Sequence, residues 1–260
     1  MNTSELKNLI KNKSRADQNR LMKDFYKGKK CVLFSCGPSL ISREDYDRYV
    51  DGKNYYIATV KQAYYRFSDH VDFQFFNCNN FTKFKPKNEK TIFFACSEAS
   101  EQQVRQMVWG DQEINVHDML HPEYAGREER TLSRLMNFED WKFSNEIRRP
   151  WGPGIVYETV LFHLLHMGFE EVIVNGWDLA LPNNSGTGCG HFYNDPGEVG
   201  GLSFFKNKAE PPYMGELLSC IDSSWYFFQF LNKNSVKFSL LSNQSYLDEK
   251  IPRIEVQDIA

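Results

Sequence analysis

A chain of 260 residues with 41% apolar and 15% aromatic content can bury a substantial core, and it is long for one domain but short for two. A net charge of -3, with Lys and Arg spread rather than banded, excludes a nucleic-acid-binding surface. The sequence has no run of about 18 apolar residues to cross a bilayer, its polar first residues predict no signal core, and six scattered cysteines without CxxC spacing argue against disulfide and structural-zinc frameworks.

In chain order, residues 4–26 carry Leu6, Ile10, Leu21, Met22 and Phe25 among charges, which predicts an exposed amphipathic helix. The apolar run Cys31, Val32, Leu33, Phe34 then meets Ser35, Cys36, Gly37, Pro38 and Ser39, before an acidic helix-like segment at 41–49. This is a buried strand ending in a tight turn. Gly37 permits close approach of backbone to a ligand and Pro38 suits a chain about to enter a helix. Free N–H groups and the positive helix end are expected to favour an anion there. An ordinary strand-to-helix turn carries the same signature, so the motif is weak by itself.

Further strands are predicted at 54–60, 71–77 and 91–97, the last followed by a helix at 98–109. Short apolar runs alternating with helical segments predict a parallel sheet with helices on both faces. Residues 110–149 show no clear period and predict loop with short helix. The segment 150–180 is the clearest unit: a Gly-Pro-Gly turn, a helix over 155–167, Gly168 as its cap, and the strand EEVIVNGWD. After Asp178 come many Gly and Pro and irregularly spaced aromatics, which predicts a lid over about 179–215. A helix at 216–231 and a strand at 236–242 return the chain to the sheet. The expected organisation is a helical extension over 1–30 and one α/β domain over 31–260.

Ligands of such sheets bind outside the carboxyl ends of the strands. The residues expected there are Ser35, Cys36, Gly37, Pro38 and Ser39, then Lys61 and Gln62, Asn77, Ser97, Arg149, Gly152 and Gly154, and Asn175 and Asp178, with His191 and Tyr193 on the lid. The set is rich in amides and hydroxyls and fits a nucleotide better than a metal-bridged diphosphate. Asp178 also has the ordinary alternative of capping the next turn, and Arg149 that of pairing with Glu146. Among the histidines, His163 and His166 lie in a core-facing helix and read as structural. His191, in GCGHFYND, is the candidate general base, since an unperturbed imidazole titrates where that task requires.

The order SCGPSL, TVKQAYY, FFNCNNF, ACS, RRPWGPGIVYETVLFHLLHMGFEEVIVNGWDLA and LLSNQSYL resembles the bacterial CMP-sialic-acid-dependent sialyltransferases of glycosyltransferase family 42. The correspondence spans most of 31–254, and its first and fifth blocks are the most specific. The resemblance implies a single Rossmann-like sheet of the GT-A variant kind with a lid, a CMP-sugar donor, inversion at the anomeric carbon, and no metal or other cofactor. It carries the family's glycine-proline-serine turn onto Gly37, Pro38 and Ser39, and its nucleotide contacts onto Lys61 or Gln62 and Asn77. The family's arginine falls near Arg149 and its lid histidine on His191.

Three positions depart from the pattern. Cys36 and Lys61 stand where the family has asparagines, and Ala180 where it has a tyrosine on the leaving phosphate, a role left to Tyr193 or Tyr213. The implied activity is transfer of an acidic sugar, sialic acid or a relative such as Kdo, from its CMP donor to a glycan or lipid-linked glycan hydroxyl. The expected location is the cytoplasm, with peripheral contact to the inner membrane and homo-oligomerisation left open. A pterin or nucleotide diphosphokinase-like enzyme and a non-catalytic nucleotide-binding protein remain as alternatives.

Overall fold

Buried parallel strands read as nearly continuous apolar runs, because helices cover both faces. The strands form on such runs: β1 Lys30–Phe34, β2 Tyr55–Val60, β3 Phe73–Asn77, β4 Ile92–Cys96, β5 Ile114–His117, β6 Glu171–Asn175 and β7 Lys237–Leu240. The computed structural model describes residues 2–77, 84–96, 108, 114–117, 160–179, 211–242 and 245–259. Among these the strands make one sheet of order β5-β4-β3-β2-β1-β6-β7, with every neighbouring pair parallel. The fold is a Rossmann-like α/β arrangement.

Side chains alternate between two cores, as a period of two requires. Cys31, Leu33, Ala58, Val60, Phe73, Phe75, Val172 and Val174 face one core. It is covered by α1 Thr3–Ile10, α2 Arg15–Met22, α5 Leu161–His166 and α6 Pro211–Lys233. Val32, Phe34, Ile57, Phe76, Phe93 and Ile173 face the other, covered by α3 Arg43–Tyr49, α4 Ala63–Phe67 and residues near the C-terminus. His163 is 1% exposed and meets Phe94 edge-on at 4.9 Å, so it is part of the first core, as its helix position implied.

The N-terminal segment differs from the single exposed helix expected. It is two helices, each with its own cap: Asn2 and Glu5 form a capping box on α1, and the Ser14 hydroxyl accepts from Asp17 N on α2. Asn12 between them takes a left-handed φ of 58°, a conformation asparagine tolerates. Leu6, Ile10, Met22 and Tyr26 are fully buried. The extension is thus one wall of the core, held at the sheet by Thr3 Oγ1 donating to Asp72 at 2.7 Å.

Two further expectations need correction. The sequence predicts loop at INVH, which is the edge strand β5; four residues are too few for an alternation to register. Helix α6 begins at Pro211, so the last residues assigned to the lid are its first turn, where proline is well accommodated. The expected lid over 180–210, the helix at 98–109 except Val108, and the start of the 155–167 helix lie outside the described residues.

Candidate functional site

The chain runs β1 to β5 outward in one direction, then returns to place β6 on the other side of β1. This makes the β1–β6 boundary the place where the connections diverge, the usual ligand crevice of an open α/β sheet. Pairing of Phe34 with both Thr59 and Asn175 brings the turns after β1, β2 and β6 to one level. Residues 35–39, 61–62 and 175–178 therefore meet at the carboxyl edge, as the sequence predicts.

What they do there differs from expectation. Ser35 N donates to Asn175 O at 2.8 Å, Gly37 N to Gly176 O at 2.6 Å, and Leu40 N to Gly37 O at 3.1 Å. Ser39 N donates to Asp178 Oδ2 at 2.7 Å and Ile41 N to Asn175 Oδ1 at 2.8 Å. Five N–H groups of the turn are thus bonded within the protein, and the anion cradle expected from them is closed. The close approach that Gly37 permits is to the protein itself: a Cβ there would run into the Asp178 carboxylate and come within 2.5 Å of Gly176 O.

Asn175 and Asp178 are the pins of this closure. Asn175 is fully buried; its amide nitrogen donates to Ser39 O at 3.0 Å and Leu241 O at 2.7 Å, so one side chain joins β1, β6 and β7. Asp178, 2% exposed, accepts from both the backbone and the hydroxyl of Ser39. Cys36 Sγ donates to Val60 O at 3.1 Å, and burial pushes its thiol up to about 11, against the pull of nearby donors and of the Lys61 charge. This cysteine is a packed core group, without thiolate chemistry near neutrality.

Arg66, on α4, was not anticipated by sequence. Its Nη1 donates to the carbonyls of Leu40 and Ile41, each at 2.9 Å, and holds the far end of the turn. An arginine one helical turn beyond a strand end has no distinctive pattern, so nothing in the sequence singled it out.

Lys61 and Gln62 follow β2, beside this closed turn. Lys61 takes a left-handed φ of 49°, uncommon for a long side chain. Buried polar groups hold it: Thr59 Oγ1 donates to Gln74 Oε1 at 2.5 Å, Gln74 Nε2 donates to Lys61 O at 3.0 Å, and Lys61 N donates to Phe75 O at 2.8 Å. The strain is thus localised at the carboxyl end of β2. Gln62 is 3% exposed, and its Oε1 is buried without a hydrogen-bond partner among the described residues. Such an orphaned acceptor costs about 1–3 kcal/mol, which a ligand N–H or O–H would relieve.

Asn77 ends β3 next to β2, at the same carboxyl edge. Ser97, Arg149, Gly152, Gly154, His191 and Tyr193 lie outside the described residues.

A cavity of about 460 Å³ opens at the opposite, amino-terminal edge of the sheet, over Phe162 and Phe169. Its rim sets Lys23 and Lys27 against Asp24 and Glu170, a balanced pattern that selects neither sign of ligand. Among the described residues no helix is long and apolar enough to cross a membrane. No protein-family model matches the chain, and no curated protein or solved structure does either.

Proposed function

We propose that the chain is an inverting, metal-independent glycosyltransferase that moves an acidic sugar from a CMP-activated donor to a glycan hydroxyl. The observation that carries this reading is the pair Lys61 and Gln62: a cation on a strained turn beside a buried carboxamide oxygen without a partner among the described residues, at the carboxyl edge of a Rossmann-like sheet. A nucleotide sugar supplies what both lack, negative charge for the ammonium and N–H or O–H donors for the orphaned oxygen. The turn at 35–39 acts as a rigid wall for that ligand rather than as its phosphate cradle. Asp178 is the positioning residue of the wall.

Transfer by inversion is one displacement. The acceptor oxygen attacks the anomeric carbon, the bond from that carbon to the phosphate oxygen breaks, and CMP leaves with the electron pair. His191 takes the proton from the acceptor hydroxyl, and Arg149, with the glycine turn at Gly152 and Gly154, neutralises the departing phosphate. Sialic acid is the first donor sugar to test, and Kdo or a related nonulosonate the second.

The test is a thermal-shift and calorimetric comparison of CMP, CDP, UDP and GDP, each with Mg²⁺ and with EDTA, since a ligand selective for the folded state raises apparent stability. Cytidine nucleotides binding equally in EDTA is the expected result, followed by donor hydrolysis that His191→Ala abolishes. Binding of purine nucleotides alone, or only with Mg²⁺, overturns the reading in favour of a diphosphokinase-like enzyme. Absence of nucleotide binding overturns it in favour of a non-catalytic role.

A further inference from the structure

The segment after β7 comes back over the carboxyl edge of the sheet and is tied to the candidate site. Tyr246 N donates to Asp178 O at 2.8 Å, and Ser245 Oγ donates to Trp177 O at 2.7 Å. Thus the same aspartate that pins the β1 turn with its side chain pins this segment with its carbonyl.

The segment is unusually well braced for a loop. Arg253 reaches back through it: Nη1 donates to the carbonyls of Asp248, Glu249 and Ile251, and Nη2 to those of Ser245 and Leu247, at 2.9–3.3 Å. Asp248 N donates to Ser224 Oγ of α6 at 2.9 Å. Leu247 and Ile251 plug into the core at 3% and 2% exposure. Between these anchors Tyr246 is turned outward and is 53% exposed. A rigid backbone holding a large aromatic ring in water is poor design for packing. It is good design for contact with a ligand, because the ordering cost of the loop is met before binding, and tyrosine offers broad contact area with few rotors.

Its place across the sheet indicates which ligand. Tyr246 lies by the ends of β6 and β7, while Gln62 follows β2, three strands from β7 in the order β2-β1-β6-β7. The Asp178 whose carbonyl holds Tyr246 also holds Ser39 with its carboxylate, so this segment abuts the wall at 35–39 from the β6 side, across β1 from Lys61 and Gln62.

We propose that Tyr246 forms the floor of the acceptor subsite, stacking on a sugar ring of the glycan that receives the transferred residue. This rests on the glycosyltransferase reading above. The experiment is retention of the protein on a printed panel of terminal galactosides, glucosides, N-acetylhexosaminides and heptosides, with and without saturating CMP, alongside calorimetric CMP binding. Wild type, Tyr246→Ala and Tyr246→Phe are compared, and equal melting temperatures show that the exposed substitutions leave the fold intact.

The expected result is glycan retention by the CMP-loaded wild type, a loss of about tenfold or more in glycan affinity for Tyr246→Ala, near-wild-type affinity for Tyr246→Phe, and unchanged CMP binding in all three. No retention by a wild type that binds CMP overturns the acceptor subsite alone. So does an alanine variant that binds glycans as well as wild type, or a phenylalanine variant as weak as alanine. Failure of the wild type to bind CMP overturns the glycosyltransferase reading itself.

Discussion

Asp178 and Ser39, 139 residues apart in the chain, are joined twice: Asp178 Oδ2 accepts from Ser39 N at 2.7 Å and Oδ1 from the Ser39 hydroxyl. The pair ties the loop after β6 to the turn after β1 where the chain reverses its direction of growth across the sheet. Because Asp178 is 2% exposed, these bonds form away from competing water. The carboxylate shapes the edge on which a ligand rests.

Asp178→Ala removes both acceptors and leaves the Ser39 N–H without its partner. We expect a loss of about 3 kcal/mol in urea unfolding, given the worth of hydrogen bonds to a charged group. Asp178→Asn keeps one acceptor and should lose about 1 kcal/mol. Wild-type stability in the alanine variant would show that the pair is not an anchor.

Gly37→Ala separates two explanations of the same glycine. A Cβ at this position meets the Asp178 carboxylate and lies 2.5 Å from Gly176 O, a backbone atom that cannot easily move. The expected cost is about 1–3 kcal/mol, as for overpacking elsewhere. Unfolding midpoints measured without ligand decide the matter. An alanine variant with unchanged stability but weakened nucleotide binding would restore the ligand-facing role first read from the sequence.

The sheet was legible because buried parallel strands leave a one-dimensional trace. Runs such as IFFAC and EVIVN cannot be anything solvent-facing. Strand β5 was not legible, since INVH is short, and neither was the break between α1 and α2, where residues 11–20 carry no large apolar side chain to mark a period on either side. The residues meeting at the carboxyl edge were also legible, because strand ends in register share a level. Their roles were not. Whether the turn's N–H groups are free depends on acceptors from Asn175, Gly176 and Asp178, more than 130 residues away, and no local pattern records that. For the same reason the braces Arg66 and Arg253 look like any surface arginine in the sequence.

Gln62→Met tests the orphaned carboxamide from both directions. Replacing a buried acceptor that lacks a partner by an apolar side chain of similar length should raise ligand-free stability by about 1 kcal/mol. The same change removes the group offered to the nucleotide and should weaken CMP binding about tenfold. A gain in stability with a loss in affinity is the signature of a residue kept for function. If stability falls while CMP binding is untouched, Gln62 is a structural residue and the carboxyl edge loses its principal ligand contact.

His166 supplies a pH dependence at the other end of the sheet. Burial lowers its basicity below the ordinary histidine value of 6.5; the Asn19 carbonyl and Asp24 oppose the shift and the Lys23 charge adds to it. Its Nε2–H donates to Asn19 O at 2.8 Å, and burial makes the neutral ring the form that packs. A folded-state value below the unfolded one means that the unfolded chain binds the extra proton first. The stabilisation is therefore complete above 6.5 and is lost as pH falls through the depressed folded value. His166→Gln retains an N–H for the Asn19 carbonyl but does not titrate. Urea unfolding across the mildly acidic range should show wild type losing stability more steeply than the variant below pH 6.5, and parallel slopes would remove His166 as the cause.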